Sequence, residues 1–249
     1  MKEKIRTLLK DLEKKYAVTI LFAVESGSRE WGFASDDSDY DVRAVHFGSV
    51  KKYLGLHQPK ENIEVMVEDG AKIDIVSWDI KKFASLLLKS NPTVSEWLQS
   101  KIVYVESPYR AQFHEIFETG FSPFTLKKHY VSLARENYEK YVRNQTEVNF
   151  KKYIYIMRAL ACAEFLLANG KVPPLNYKDV IGYLPDGLAT SMEDIVKKKQ
   201  KSESTMGPAD KKINEFVESY FTKQFEAQDN RFSKEEVNDL VVKIIETAK

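Results

Sequence analysis

The chain has 249 residues, 43% of them hydrophobic, which suffices for a sizeable core in one large domain or two small ones. Its 38 basic and 37 acidic residues give a net charge of +1, so overall charge indicates no particular partner. The single cysteine excludes a disulfide framework and a cysteine-based zinc site. The charged N-terminus does not resemble a signal peptide, and no apolar run reaches the ~20 residues needed to span a bilayer. We therefore expect a cytoplasmic protein without a membrane segment.

The first part of the chain alternates between strand and helix patterns. Apolar runs and two-residue alternation predict strands over 18–25, 39–47, 63–68, 72–78 and 102–105. The third and fourth of these form a predicted hairpin, because Asp69-Gly70 separates them. Helical spacing and capping residues predict helices over 2–15, 79–89 and 92–99. Residues 51–62 match neither pattern and are expected to form a mobile loop.

Beyond Ser107 the strand patterns stop and long helical patterns take over. Apolar periodicity predicts helices over 108–119, 123–143, 150–168, 192–200, 209–227 and 233–248. Runs of strands followed by runs of helices are typical of an α+β fold. We expect an N-terminal domain over residues 1–107, with a mixed sheet and flanking helices, and an all-helical domain over residues 108–249.

Two aspartates, Asp39 and Asp41, open the second predicted strand. Side chains two positions apart on a strand point to the same face, so these carboxylates repel each other unless a cation lies between them. Mg²⁺ is typically held by one or two carboxylates together with substrate phosphates. A third carboxylate, Asp74, lies between two isoleucines on a later strand. Three acids on adjacent strands predict a two-metal site for in-line attack on a phosphate.

Four further residues near these acids are candidates for phosphate binding. Gly27 allows the backbone to turn tightly and approach a ligand closely, and Ser28 offers a hydroxyl and an N–H group to phosphate oxygens. Arg29 follows directly and is another candidate for phosphate contact. Arg43 would share the face of Asp41, where its charge could neutralise the acids or contact phosphate.

The order of these residues resembles the polymerase-beta nucleotidyltransferase superfamily. The shared features are a strand, a Gly-Ser turn, Asp-x-Asp on a second strand and a lone aspartate on a third. The longer pattern over 27–43, Gly-Ser-Arg-x-Trp-Gly-Phe-Ala-Ser-x-x-Ser-Asp-Tyr-Asp-Val-Arg, resembles the RlaP type, which is named for its association with RNA-repair operons. Three further segments resemble that type as well: Asn91-Pro92-Thr93, Glu96-Trp97-Leu98 and residues 151–158.

The resemblance implies transfer of a nucleoside monophosphate from a nucleoside triphosphate to an acceptor hydroxyl, with release of pyrophosphate. Asp39 and Asp41 would bridge two Mg²⁺ ions, with Mn²⁺ as an alternative, and Asp74 would act as a further ligand or base. The acceptor is left open between an RNA 3′ end, a protein side chain and a small molecule. A nucleotide-binding regulatory module without turnover is a further alternative. The transferred base, the use of a template and the oligomeric state also stay open.

The helical part of the chain is rich in basic and aromatic residues. Residues 121–160 hold eight lysines and arginines against three acids, with tyrosines interleaved. Cations bind phosphates and aromatic faces stack on bases. The resemblance implies that this domain closes over the metal site and contributes the nucleotide contacts Lys151, Lys152, Tyr155 and Arg158. The alternative is that these are ordinary solvated charges over a helical core.

Overall fold

The computed structural model describes residues 1–223 and 230–247. The chain divides into two compact units, each of which is discontinuous in sequence. The first unit contains residues 1–30, 39–121 and the segment that begins at 230. The second unit contains residues 31–38 and the segment that begins at 122. The division into domains after residue 107 stays a prediction.

The first unit is built on a mixed five-stranded sheet. Its strands are β1 (Thr19–Ser26), β2 (Tyr40–Phe47), β3 (Asn62–Glu68), β4 (Lys72–Asp79) and β5 (Val103–Val105). They lie in the order β3-β4-β2-β1-β5. Strands β2 and β4 are parallel, whereas the other neighbouring pairs are antiparallel. The predicted mixed sheet and the β3–β4 hairpin are thus confirmed.

Helices flank this sheet. They are α1 (Lys2–Tyr16), α2 (Gly27–Trp31), α3 (Val50–Leu54), α4 (Ile80–Leu87), α5 (Pro92–Gln99) and α6 (Pro108–Gly120). As predicted, Asp79 caps α4, because its carboxylate accepts the backbone N–H of Lys81 at 2.9 Å. The expectation of an irregular loop over 51–62 is wrong where α3 forms. This helix has five residues and buries none of them, so it has no apolar periodicity to reveal it.

Apolar side chains cover both faces of the sheet. On one face Ile5 and Leu9 of α1 belong to a buried cluster with Val42 of β2 and other strand residues. On the other face the rings of Phe22 and Phe83 meet edge to face with centroids 5.6 Å apart. Because side chains alternate along a strand, positions 41 and 43 of β2 point away from α1. This alternation sets the face on which the acidic residues lie.

The second unit is mainly helical. Its helices are α7 (Pro123–Tyr141), α8 (Phe150–Asn169), α9 (Leu188–Lys199) and α10 (Lys211–Phe221), and 3₁₀ turns lie at Tyr177–Asp179 and Ile181–Tyr183. Two short strands, β6 (Glu147–Asn149) and β7 (Met206–Pro208), pair antiparallel. The expectation that strands stop after residue 107 missed this pair, because three residues are too few to display alternation. No described helix is long and apolar enough to cross a membrane.

A last helix, α11 (Lys234–Glu246), returns to the first unit. Phe232 packs against Gly120, where a Cβ atom would overlap the ring. The side chain of Asn230 accepts the Ser90 hydroxyl at 2.5 Å, which ties the segment before α11 to the connection between α4 and α5. The predicted helices over 209–227 and 233–248 correspond to α10 and α11. Their residues 224–227 and 248 lie outside the described part of the chain.

Candidate active site

Asp41 of β2 and Asp74 of β4 stand directly opposite each other in the parallel strand pair. One nitrogen of the Arg43 guanidinium, Nη2, bonds both carboxylates, at 2.7 Å from Asp41 Oδ1 and 2.9 Å from Asp74 Oδ2. The two carboxylates are about a quarter exposed, so a ligand can reach them. The structure therefore brings three of the residues selected from the sequence into one polar group.

Asp39 lies one position before β2, and its carboxylate points to a different cation. Its Oδ2 lies 3.1 Å from the ammonium of Lys72, the first residue of β4. The Asp39 backbone carbonyl accepts the Nε–H of Arg29 at 3.0 Å. The guanidinium of Arg29 also stacks on the ring of Tyr40, 3.8 Å from its centroid. Arg29 therefore fixes the backbone at the start of the acidic motif.

A divalent cation fits this arrangement of donors. Carboxylate oxygens are the ligands that Mg²⁺ prefers, and Asp41 and Asp74 present two carboxylates at adjacent positions of one sheet face. Within residues 1–223 and 230–247, no group of three acidic, histidine or cysteine side chains could hold an ion unaided. Mg²⁺ at nucleotide sites is commonly bound by one or two carboxylates plus substrate phosphates, so protein ligands alone need not complete the site.

Gly27 packs directly against the acidic group. It adopts φ +63°, a conformation that favours glycine, and a Cβ atom there would overlap the carboxylate of Asp41. The next residue, Ser28, is buried in the first turn of α2. The close approach of the Gly27 backbone to a ligand stays a prediction; in this structure the group nearest to an added Cβ atom is the carboxylate of Asp41.

Glu25 is a buried carboxylate near the end of β1. From the sequence it is only the last residue of a predicted strand and not a candidate site residue. Its Oε1 accepts the backbone N–H of Asp41 at 2.7 Å, and the hydroxyl of Tyr104 donates to its Oε2. Burial raises the pKa of Glu25 to about 7. A charged residue after the apolar run over 20–24 was the available signal, since a buried charge needs partners. Glu25 supports the backbone from which Asp41 projects.

The candidates of the helical part have partners within the second unit. Lys151 forms an ion pair with Glu203. Arg158 is buried, donates from Nε and Nη2 to the carbonyl of Leu175 at 3.2 and 3.1 Å, and lies over the ring of Trp31 at 4.2 Å. Tyr155 packs against the same indole, with ring centroids 5.3 Å apart. These contacts provide a structural reason for Arg158 and Tyr155 besides any contact with a nucleotide.

Lys152 belongs to a basic and aromatic cluster at the surface of the second unit. Its ammonium lies 3.9 Å from the ring centroid of Tyr141, and that of Lys140 lies 5.0 Å from the same ring. A hydrogen bond from Lys140, with the nearby charge of Lys152, lowers the pKa of Tyr141. The Tyr141 side chain is exposed. We call Lys140, Tyr141 and Lys152 the surface cluster; it combines positive charge with a partly exposed aromatic ring.

Most of the chain matches a protein family model. The family model described as RNA repair pathway DNA polymerase beta family, RlaP, matches residues 1–243. The chain belongs to the RlaP family. It is thus a nucleotidyltransferase of the polymerase-beta type, and the resemblance indicated by the motif over 27–43 is confirmed. Enzymes of this type generally use a nucleoside triphosphate and divalent metal ions.

Two relatives of this RlaP-family protein are similar over most of their length. The uncharacterized protein YcgL of Bacillus subtilis (strain 168) is 35% identical over 232 residues, which cover 91% of this chain and 88% of YcgL. The uncharacterized protein MJ0002 of Methanocaldococcus jannaschii is 27% identical over 205 residues, 81% of this chain and 79% of MJ0002. A crystal structure of a nucleotidyltransferase-like protein from Exiguobacterium sibiricum aligns with 96% of this chain and 88% of its own chain, at 11% identity and a TM-score of 0.33.

Proposed function

We propose that this RlaP-family protein transfers a nucleoside monophosphate from a nucleoside triphosphate to the 3′ hydroxyl of an RNA, in repair or end processing. Nucleotidyl transfer follows from the family. The acceptor is our inference. The observation that supports the proposed site is that Asp41 and Asp74 stand opposite each other on adjacent strands and both bond Arg43. Gly27 lies so close to Asp41 that position 27 has no room for a side chain.

In the proposed reaction, the acceptor hydroxyl oxygen forms a bond to the α-phosphorus as the bond between that phosphorus and the bridging oxygen breaks. Pyrophosphate leaves with the bonding electrons, and the hydroxyl proton is lost to a base or to water. Asp39, Asp41 and Asp74 would hold the divalent ions, which would lower the pKa of the hydroxyl and polarise the α-phosphate. Arg43 holds two of these carboxylates in place, and the protein otherwise acts by positioning and charge neutralisation.

The nucleotide has further proposed contacts. Gly27, Ser28 and Arg29 would approach its outer phosphates. The helical part, residues 108–249, would close over it and contribute Lys151, Lys152, Tyr155 and Arg158. The cationic and aromatic character of these residues supports that role, because cations bind phosphates and aromatic rings stack on bases.

Two observations support RNA as the acceptor. The family description names an RNA repair pathway. The surface cluster of Lys140, Tyr141 and Lys152 offers two ammonium groups around an exposed ring, and single-stranded nucleic acids bind to surfaces of this composition. The near-neutral net charge of the whole chain is compatible with a protein or a small molecule as acceptor instead.

Labelled nucleotides distinguish these acceptors. The protein is incubated with Mg²⁺, each of the four α-³²P nucleoside triphosphates in turn, and an RNA oligonucleotide ending in a 3′ hydroxyl. The matched control RNA ends in a 3′ phosphate, and the control protein carries Asp41→Asn. Label on the hydroxyl-ended RNA alone, lost with Asp41→Asn, supports the proposal. Label on protein or on a small molecule from a cell extract would overturn the RNA acceptor. No transfer to any acceptor would overturn the proposed reaction.

A further inference from the structure

A lysine with a fully buried side chain lies at the last residue of α9. Lys199 has no exposed side-chain surface. Its ammonium donates to the carbonyl of Phe33 at 3.2 Å, to Ser35 Oγ at 3.3 Å and to Ser38 Oγ at 3.0 Å, and it forms an ion pair with Glu203. A buried ammonium is costly unless it is paired and hydrogen-bonded. These four contacts meet that requirement, and three of them reach one short segment, residues 33–38.

Glu203 completes the same network. One of its oxygens accepts the hydroxyls of Ser38 at 2.9 Å and Ser35 at 3.3 Å and pairs with Lys199, and the other pairs with Lys151. Burial by itself would raise the pKa of Glu203, but hydrogen bonds from Lys151 and Lys199 lower it to about 2. The carboxylate is therefore ionised at neutral pH.

A third contact fastens the segment from its exposed side. The carboxylate of Asp37 accepts the backbone N–H of Glu203 at 3.1 Å and the hydroxyl of Ser202 at 3.0 Å. The turn over residues 35–38 is therefore held at three of its four positions by residues 199–203. The two segments lie more than 160 positions apart in the chain.

The held turn leads directly into the acidic motif. Residues 31–38 belong to the second unit, although Glu30 before them and Asp39 after them belong to the first. Consecutive Cα atoms are about 3.8 Å apart across a trans peptide, so the place of Ser38 limits where Asp39 can lie. The contacts that hold Ser38 therefore act one peptide bond before Asp39, a proposed metal ligand.

We propose that Lys199 and Glu203 are positioning residues for nucleotidyl transfer: they hold the turn over residues 35–38 and, through Ser38, place the carboxylate of Asp39 for the divalent ion. This inference rests on the proposed function, specifically on the role of Asp39 as a metal ligand. Residues that orient metal ligands typically change metal affinity by about 10- to 100-fold when they are substituted. Neither side chain need touch the substrate.

The test measures Mn²⁺ binding rather than turnover. Free Mn²⁺ is followed by electron paramagnetic resonance during titration of the folded full-length protein with a non-hydrolysable nucleoside triphosphate analogue present. We expect Lys199→Met and Glu203→Gln to raise the half-saturating Mn²⁺ concentration about tenfold or more. The matched control is Lys197→Met on the same helix, because the Lys197 side chain is 70% exposed whereas that of Lys199 is buried. That variant should bind Mn²⁺ as the wild type does.

Two additional variants keep the outcomes separate. Ser38→Ala removes one hydroxyl but retains the Lys199–Glu203 pair, and we expect a several-fold rise in the half-saturating Mn²⁺ concentration. If Lys199→Met does not fold, the Mn²⁺ affinity of Ser38→Ala tests the inference in its place. Folded Lys199→Met, Glu203→Gln and Ser38→Ala with wild-type Mn²⁺ affinity would overturn the inference. Wild-type affinity in Asp41→Asn would instead overturn the proposed metal site itself.

Discussion

Asp41 and Asp74 occupy paired positions of parallel strands, and a single nitrogen of Arg43 bonds both carboxylates. Two like charges on adjacent strands are unfavourable without a cation, and Arg43 supplies one in the structure described here. In the proposed reaction a divalent ion would add to this neutralisation. Asp41 and Asp74 are therefore the first residues to substitute in a test of the proposed site.

Replacing Asp41 by asparagine should abolish transfer while leaving the fold intact. The substitution removes one negative charge from the proposed metal site, and we expect a loss of at least ~10³-fold in rate. Asp74 stays in place to pair with Arg43, so the free energy of unfolding should change little. Label transfer and urea unfolding measure the two effects.

The matched control for that substitution is Asp36→Asn, since Asp36 is an exposed acid in the loop before the motif. It should keep full activity. An Asp41→Asn enzyme with undiminished metal-dependent transfer would contradict the assignment of Asp41.

Replacing Gly27 by alanine should cost both stability and activity. Its positive φ disfavours an L-residue, and the added Cβ would displace the Asp41 carboxylate. Gly70 provides the control, because it also has positive φ, +71°, but no atom lies within 4 Å of an added Cβ. We expect Gly70→Ala to cost about 1 kcal/mol with activity retained, and Gly27→Ala to cost more and to lose activity. Equal behaviour of the two variants in urea unfolding and label transfer would refute the steric argument.

The Glu203 network should make stability depend on acidic pH. Its folded pKa of about 2 lies below the ordinary value of 4.5, so its contribution is present above about pH 4.5 and is lost as the pH falls toward 2. The shift corresponds to roughly 3 kcal/mol. Urea unfolding of the wild type and of Glu203→Gln from pH 3 to pH 7 measures it. The difference in unfolding free energy between the two proteins should shrink as the pH falls, whereas a constant difference would exclude this role of Glu203.

The surface cluster should contribute to RNA binding. Lys152→Ala removes one cation, so we expect weaker binding of single-stranded RNA. The slope of the logarithm of the binding constant against the logarithm of the salt concentration should fall in magnitude by about one. Tyr141→Ala should cost about 1–3 kcal/mol through lost stacking, whereas Tyr141→Phe keeps the ring and should bind normally. Lys211→Ala, which removes an 88% exposed lysine elsewhere in the second unit, is the control. Binding isotherms at several salt concentrations measure these effects, and equal losses in Lys152→Ala and Lys211→Ala would argue against a specific surface.

Local patterns were sufficient for the main elements of the first unit. Alternation placed β2, β3 and β4, and the capping carboxylate of Asp79 marked the start of α4, because both signals depend only on neighbouring residues. The same patterns failed for α3, β6 and β7. Those elements are short and bury few side chains, so they leave no periodicity in the sequence.

Residue order alone predicts the chemistry of the proposed site: two aspartates two positions apart, a third on another strand, and a Gly-Ser turn before them. The partners of these residues come from the packing of the folded chain. The parallel register that sets Asp41 beside Asp74, the support of Asp41 by Glu25, and the capture of the 35–38 turn by Lys199 and Glu203 join residues remote in the chain. Such contacts depend on how distant segments pack, and no local spacing encodes them.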